Sequence, residues 1–473
     1  MSDSGLNLLE LHVDEKYFKK LFDLKKEYKL QYFNARFNTS LSSSFRLEKS
    51  IMKSAHNFNN YGFSIQAFVD GGFGFSTCNL ISIEELENSF REAAKLAHYS
   101  SRNAEKKFDI KELDPVKAKY IQPQKKKLLN ISADEKAKYI LEQDKQARNY
   151  DDRIVNTISS YSDTIKHELI VTSDERIIDL TSSYARIMVH AYSKEGNVNQ
   201  SSRANIGITG GYEIVDMGGK VGIKAAKRAI EILNAKPVNA GRYDVIVDPY
   251  LAGTFAHEAF GHACEADAIL ANESQLAGKI NQKVGPEFIS IYEDPDIENG
   301  YGSIKYDSEG IKAKKIALIK NGILAGYMHS RETASKMDVE PTGNGRAQSF
   351  TSFPVVRMRN TYIEKGDWNL EEMLEELKNG ILCINWNYGY TEPNIGQFMF
   401  KMERAWQIEN GEKKQLLRDA ALSGTMLNVL NKIRAISDNV MMDDGTCGKS
   451  GQHVPVGSGG PYLLINDISI GGM

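Results

Sequence analysis

Cysteine is scarce in this chain: four in 473 residues, too few to staple a fold of this size with disulfides. Cys78, Cys264, Cys383 and Cys447 therefore need separate explanations. Net charge is scarce too. Fifty-nine basic residues against 62 acidic ones leave −3, which argues against a protein built to hold nucleic acid. No run of about 18 uninterrupted apolar residues occurs, so no helix is expected to cross a bilayer. The N-terminal residues lack a basic stretch followed by an apolar one and carry Glu10, Asp14 and Glu15 instead, so the expected location is the cytoplasm. No repeat with a period of roughly 20–50 residues is found, which excludes a solenoid.

What is present is globular. The chain is 41% hydrophobic and 26% charged, and its length suits about three domains. The expected class is α+β. Residues 1–100 read as a mixed α/β unit, with a helix over 15–29 and another over 83–98. Strand-like alternation fills 30–75, with a hairpin turn at Gly71-Gly72. Residues 101–130, with Pro115, Pro123 and the Lys125–Lys127 run, read as a solvated linker. Residues 131–238 form a β-rich middle unit: a helix over 133–148, then short strands with turns at Asp163 and at Ser173-Asp174-Glu175, then a helix over 220–233. Residues 239–473 read as mostly β, with hairpins at Asn321-Gly322 and Asn410-Gly411.

The chemistry concentrates after the strand Arg242–Val247. Asp248 and Pro249 suit a helix start, and the helix runs on through His257-Glu258-Ala259-Phe260-Gly261-His262. Two histidines with a glutamate directly after the first resemble a zinc-peptidase motif, in which imidazoles hold the metal and the carboxylate takes a proton from water. The spacing is unusual. Histidines five apart lie roughly 140° from each other on a regular α-helix. They can share a metal only if the helix widens into a π-type turn or unwinds near Gly261. A third ligand is then needed, and Cys264, Glu265, Asp267, Cys447 and His453 are all candidates. Cys264 reads as a core residue. Cys447 sits in a glycine-lined loop next to Lys449.

Three motifs, in order, resemble the TldD branch of the PmbA/TldD peptidase family. They are His257-Glu258-Ala259-Phe260-Gly261-His262, Pro341-Thr342-Gly343-Asn344-Gly345-Arg346, and Gly445-Thr446-Cys447-Gly448-Lys449 with Gly451-Gln452 and Pro455-Val456-Gly457. The resemblance implies a zinc metallopeptidase, with the C-terminal unit as its zinc-bearing domain. It assigns Zn2+ to His257, His262 and Cys447 and the role of general base to Glu258. It also implies action on flexible or unfolded peptides, as a homodimer or paired with a metal-free PmbA/TldE-type paralogue. Arg346, Gly345 and Gly457 are the substrate-binding candidates. His453 departs from the small polar residue common at its position and is left out of the ligand set. The alternative is a non-catalytic peptide-binding or assembly partner whose metal is structural. Neither nucleic acid nor membrane is an expected partner.

Overall fold

The structure, a computed structural model, describes residues 9–104 and 106–472. Its first half is built on one sheet of long strands: β1 (Tyr32–Glu48), β2 (Ile51–Val69), β3 (Gly72–Cys78), β4 (Val116–Ile121), β5 (Ile154–Thr172), β6 (Arg176–Glu195) and β7 (Val198–Thr209). The order is β3-β2-β1-β5-β6-β4, with β7 also on β6. Only β4 runs parallel to its neighbour.

Alternation along β1 explains the layers. Phe33, Ala35, Phe37, Phe45 and Leu47 are buried against helices, each large side chain contributing about 1.5–3 kcal/mol. The helices Glu15–Glu27 and Ile83–Arg102 cover one half of that face, and Ala133–Arg148 and Val221–Leu233 cover the other. Asp14, Ser82 and Ser132 cap three of these helices by accepting from backbone N–H groups. The opposite face carries Asn34, Arg36 and Asn38, also buried. Asn34 donates to the Ser308 carbonyl, and Arg36 to those of Ser349, Phe350 and Ser352. The C-terminal unit therefore docks on a polar sheet face.

One sheet runs through both the first and the middle unit, because β1 pairs with β5 along its length. Three local readings change. The 101–130 segment contributes β4, and its Lys126 pairs with Asp216 at 2.7 Å. Asp163 is no turn; it lies inside β5 opposite Ala185, since nineteen residues run on as one strand. The β2–β3 turn is Asp70-Gly71, both at positive φ (48° and 82°), the conformation a two-residue hairpin demands. The expected hairpins at Asn321-Gly322 and Asn410-Gly411 form, again with both residues at positive φ.

Besides a two-stranded sheet, Gly345–Arg346 with Val355–Val356, the C-terminal unit has two large sheets. In one, Gly380–Glu392, Gly241–Val247, Leu463–Gly472, Ala420–Thr425 and Gln397–Glu409 pair in that order, and the last returns to the first, closing a ring. The other ends in the hairpin Met441–Lys449/Gln452–Gly460. The helical segment that starts at Pro249 packs between them in one apolar core.

Candidate metal centre

Asp248 accepts from Leu251 N–H at 2.9 Å and caps the helix, with Pro249 in the first turn. Burial pushes its carboxyl up to about 7. The α-helix lasts only to Thr254. Phe255–Gly261 is a π-helix, and His262–Cys264 follows as a 3-10 turn. In π geometry residues five apart lie nearly one turn apart, so His257 and His262 return to one side, their rings 5.2 Å apart and edge-on. The spacing thus exacts the wide turn it requires. Gly261 permits it by close approach: a Cβ there would lie 1.9 Å from Met358 Sδ.

Cys447 arrives from a strand rather than a loop. Met441–Lys449 pairs with Gln452–Gly460, Cys447 stands opposite Val454, and Ser450-Gly451 makes the turn with φ of 52° and 71°. The Arg357 guanidinium donates to the Cys447 carbonyl at 2.5 Å. On the other face of the hairpin, Asp444 takes Arg186 at 2.7 Å and Asn205 at 2.8 Å. The strand is therefore held from both sides.

The donor atoms of His257, His262 and Cys447 all lie within 4.8 Å of one another. Cys447 Sγ is 3.6 Å from His262 Nε2, across 185 residues of sequence. Zinc bonds of about 2.0–2.3 Å set tetrahedral donors roughly 3.5 Å apart, so the group suits such an ion. His257 Nδ1 is buried without a hydrogen-bond partner. Burial alone would raise the Cys447 thiol, but hydrogen bonds and positive charge from His257 and His262 outweigh it and bring the thiol down to about 5. Burial disfavours both imidazolium forms. His257 is nevertheless raised by Cys447, and His262 is raised well above its usual value by Glu265 and Cys447. A thiolate beside two imidazoles is a metal-ligand set by its own chemistry, and a divalent ion fits it.

Glu258 Oε2 lies 3.9 Å from His262 Nε2, and its side chain is 34% exposed. The carboxylate thus borders the group with one side open to solvent. Glu265 does not join the three donors: its Oε2 meets His262 Nδ1 at 3.0 Å. His453 is exposed on the opposite face of the hairpin, against a cavity of about 210 Å3 lined also by Tyr184, Tyr301 and Arg346.

The remaining site residues lie among other neighbours. Arg346 is buried and donates to the Met358 and Pro455 carbonyls. A Cβ on Gly345 would meet Glu309 Oε2 at 2.2 Å, and one on Gly457 would meet Asn360 Oδ1 at 2.4 Å. Close packing accounts for both glycines. Cys264 and Cys383 are buried core thiols, and burial raises both. Cys78 is half-buried with Sγ 3.7 Å from Glu85. Sequence reasoning gave no role to Lys449, although its place two residues after Cys447 puts it on the same strand face.

Three family models match the chain: the PmbA/TldA metallopeptidase domain 1 over residues 35–97, the central domain over 126–233, and the C-terminal domain over 240–472. A metalloprotease of Methanocaldococcus jannaschii is 37% identical over 91% of this chain and 94% of its own length. A zinc metalloprotease TldD homolog of Saccharolobus solfataricus is 30% identical over 87% of this chain and 90% of its own. Among solved structures, TldE from Thermococcus kodakarensis aligns with a TM-score of 0.79 at 18% identity, over 96% of this chain and all of that one. A putative modulator of DNA gyrase from Thermotoga maritima aligns at 0.78 and 22%, over 97% of this chain and all of that one. At such identities the two structures speak for the fold.

Proposed function

Because the chain belongs to the PmbA/TldA metallopeptidase family, we propose that it is a zinc-dependent peptidase cleaving flexible or unfolded chains. The observation that carries this reading is the convergence of His257, His262 and Cys447 beside the solvent-facing carboxylate of Glu258. Held there, zinc supplies Lewis acidity to a carbonyl group and to water. Glu258 handles the proton: its carboxylate accepts one from the attacking water and returns it to the departing amine nitrogen. The Cys447 thiolate puts a negative charge in the ligand set where a third imidazole would put none, which leaves more of the proton transfer to Glu258. A substrate presented in extended form and paired through its main chain would be taken with little regard to sequence. The expected partner is a second copy or a metal-free PmbA/TldE-type paralogue, and the expected location is the cytoplasm.

The alternative is a non-catalytic assembly partner with a structural metal, which calls for four protein ligands. Among the described residues three donors converge, Glu265 is turned to His262 Nδ1, and His453 faces the other way. That favours the catalytic reading. Digestion of casein or an unfolded peptide, with and without chelator, tests it. Glu258→Gln should lower cleavage about 10²–10⁴-fold and leave zinc stoichiometry at the wild-type value. Undiminished turnover in that variant would overturn the assignment.

A further inference from the structure

Lys449 and Glu265 join the two parts of the metal group, which the sequence delivers separately. The Lys449 ammonium reaches Glu265 Oε2 at 3.0 Å, Asp267 Oδ2 at 2.7 Å and the Val356 carbonyl at 3.0 Å. An ammonium has three donors, and all three are engaged. The same Glu265 oxygen lies 3.0 Å from His262 Nδ1, on a side chain only 2% exposed. The Glu265 backbone is fixed as well: the neighbouring Met328 donates to the Cys264 carbonyl and accepts from Ala266 N–H. Cys447 and Lys449 are two apart on one strand and project to one face. His262 and Glu265 are three apart on the facing segment. Each segment thus carries one proposed ligand and one group that grips the other segment.

We infer that Glu265 is a positioning residue that holds His262 with its proton on Nδ1 and Nε2 free toward Cys447, while Lys449 clamps the Cys447 strand onto it. This rests on the metallopeptidase reading for its purpose, but not for its geometry. A carboxylate on the far nitrogen fixes the tautomer and ring orientation of a ligating histidine. Asp267 holds the ammonium in place when Glu265 is altered. Glu265 therefore acts on one ring, and Lys449 acts on the distance between two segments.

Two measurements on the full chain test it. Zinc affinity, from competition with a chromophoric chelator, should fall about 10–100-fold in Glu265→Gln and in Lys449→Met. Lys449→Arg should recover most of it, and each metal-free variant should keep the cooperative unfolding transition of the wild type. In the metal-free protein, modification of Cys447 by a thiol reagent, identified by its absence in Cys447→Ser, should quicken several-fold in Lys449→Met. Affinities within twofold of wild type, or an unchanged thiol rate, would overturn the clamp. Wild-type protein that takes no zinc while Lys449→Met still frees the thiol would overturn the metallopeptidase reading and leave the clamp standing.

Discussion

The seam between the first sheet and the C-terminal unit buries ionisable groups much as the metal group does, but partners them differently. At the seam, Arg331 pairs with Asp174 at 2.6 Å and lies over the Tyr32 ring, while within the C-terminal unit Arg359 pairs with Glu293 at 3.0 Å, and all four side chains are buried. Glu293 also accepts from Arg359 N–H and the Thr361 hydroxyl. Every guanidinium there reaches a carboxylate or a carbonyl. At the metal group, by contrast, Cys447 Sγ, His257 and His262 bring their donor atoms within 4.8 Å of one another, with Cys447 Sγ 3.6 Å from His262 Nε2. Neither burial nor a single unpaired atom marks a functional site, since Arg331 Nε and Arg359 Nη1 also lack partners; three metal-type donors aimed at one point do.

The sharpest way to break this contrast is to remove one member from each region. Arg331→Met leaves Asp174 as an uncompensated buried charge and should cost about 3–5 kcal/mol, read as a lower denaturation midpoint with or without chelator. Cys447→Ser should leave the metal-free protein close to wild-type stability and abolish stoichiometric zinc. It should also remove the rise in melting temperature that zinc gives the wild type by mass action. Equal destabilisation by the two substitutions in metal-free protein would erase the distinction.

The π-turn ties the metal group to its packing, and Gly261 tests that tie. Gly261→Ala puts a methyl group onto Met358 Sδ, an overpacking expected to cost about 1–3 kcal/mol and to weaken zinc binding by turning His262 out of line. Adding Met358→Ala should restore part of the zinc affinity while lowering stability further. If Gly261→Ala binds zinc as the wild type does, the turn does not depend on this approach.

These regions were not equally legible in the sequence. Asp248-Pro249 announced a helix start, and the five-residue histidine spacing announced the widened turn, because both are demands made within a few residues. The hairpins at Asn321-Gly322 and Asn410-Gly411 were legible for the same reason. What escaped was non-local. Nothing near β1 says that its partner is β5, more than a hundred residues on, so the sheet that the first two units share was not foreseen. Val116–Ile121 alternates like a strand, but prolines and lysines around it suggested a linker. Gly345 and Gly457 drew attention as glycines open to a substrate, whereas Glu309 and Asn360 occupy the space beside them. Lys449 passed unassigned because its acceptors lie on segments more than 90 residues away.

The smallest expected effect concerns a buried histidine in acid. His329 is buried, its N–H donates to Thr342 Oγ1 at 2.7 Å, and its ring meets the Thr333 hydroxyl at 3.3 Å with no carboxylate paired to it. Burial lowers its imidazole to about 4, from 6.5 in an open chain. A histidine held low in the folded state binds its proton more readily when unfolded. Its contribution to stability is therefore complete above about 6.5 and is lost as pH falls toward 4, by at most about 1.4 kcal/mol per pH unit. His329→Gln has no proton to gain, so its stability should fall less than that of wild type between pH 7 and pH 5. Denaturation midpoints for both proteins at these two values measure the difference. Identical losses would mean that the ring takes its proton as readily in the fold as in the open chain, and that this part of the interior tolerates charge without a carboxylate beside it.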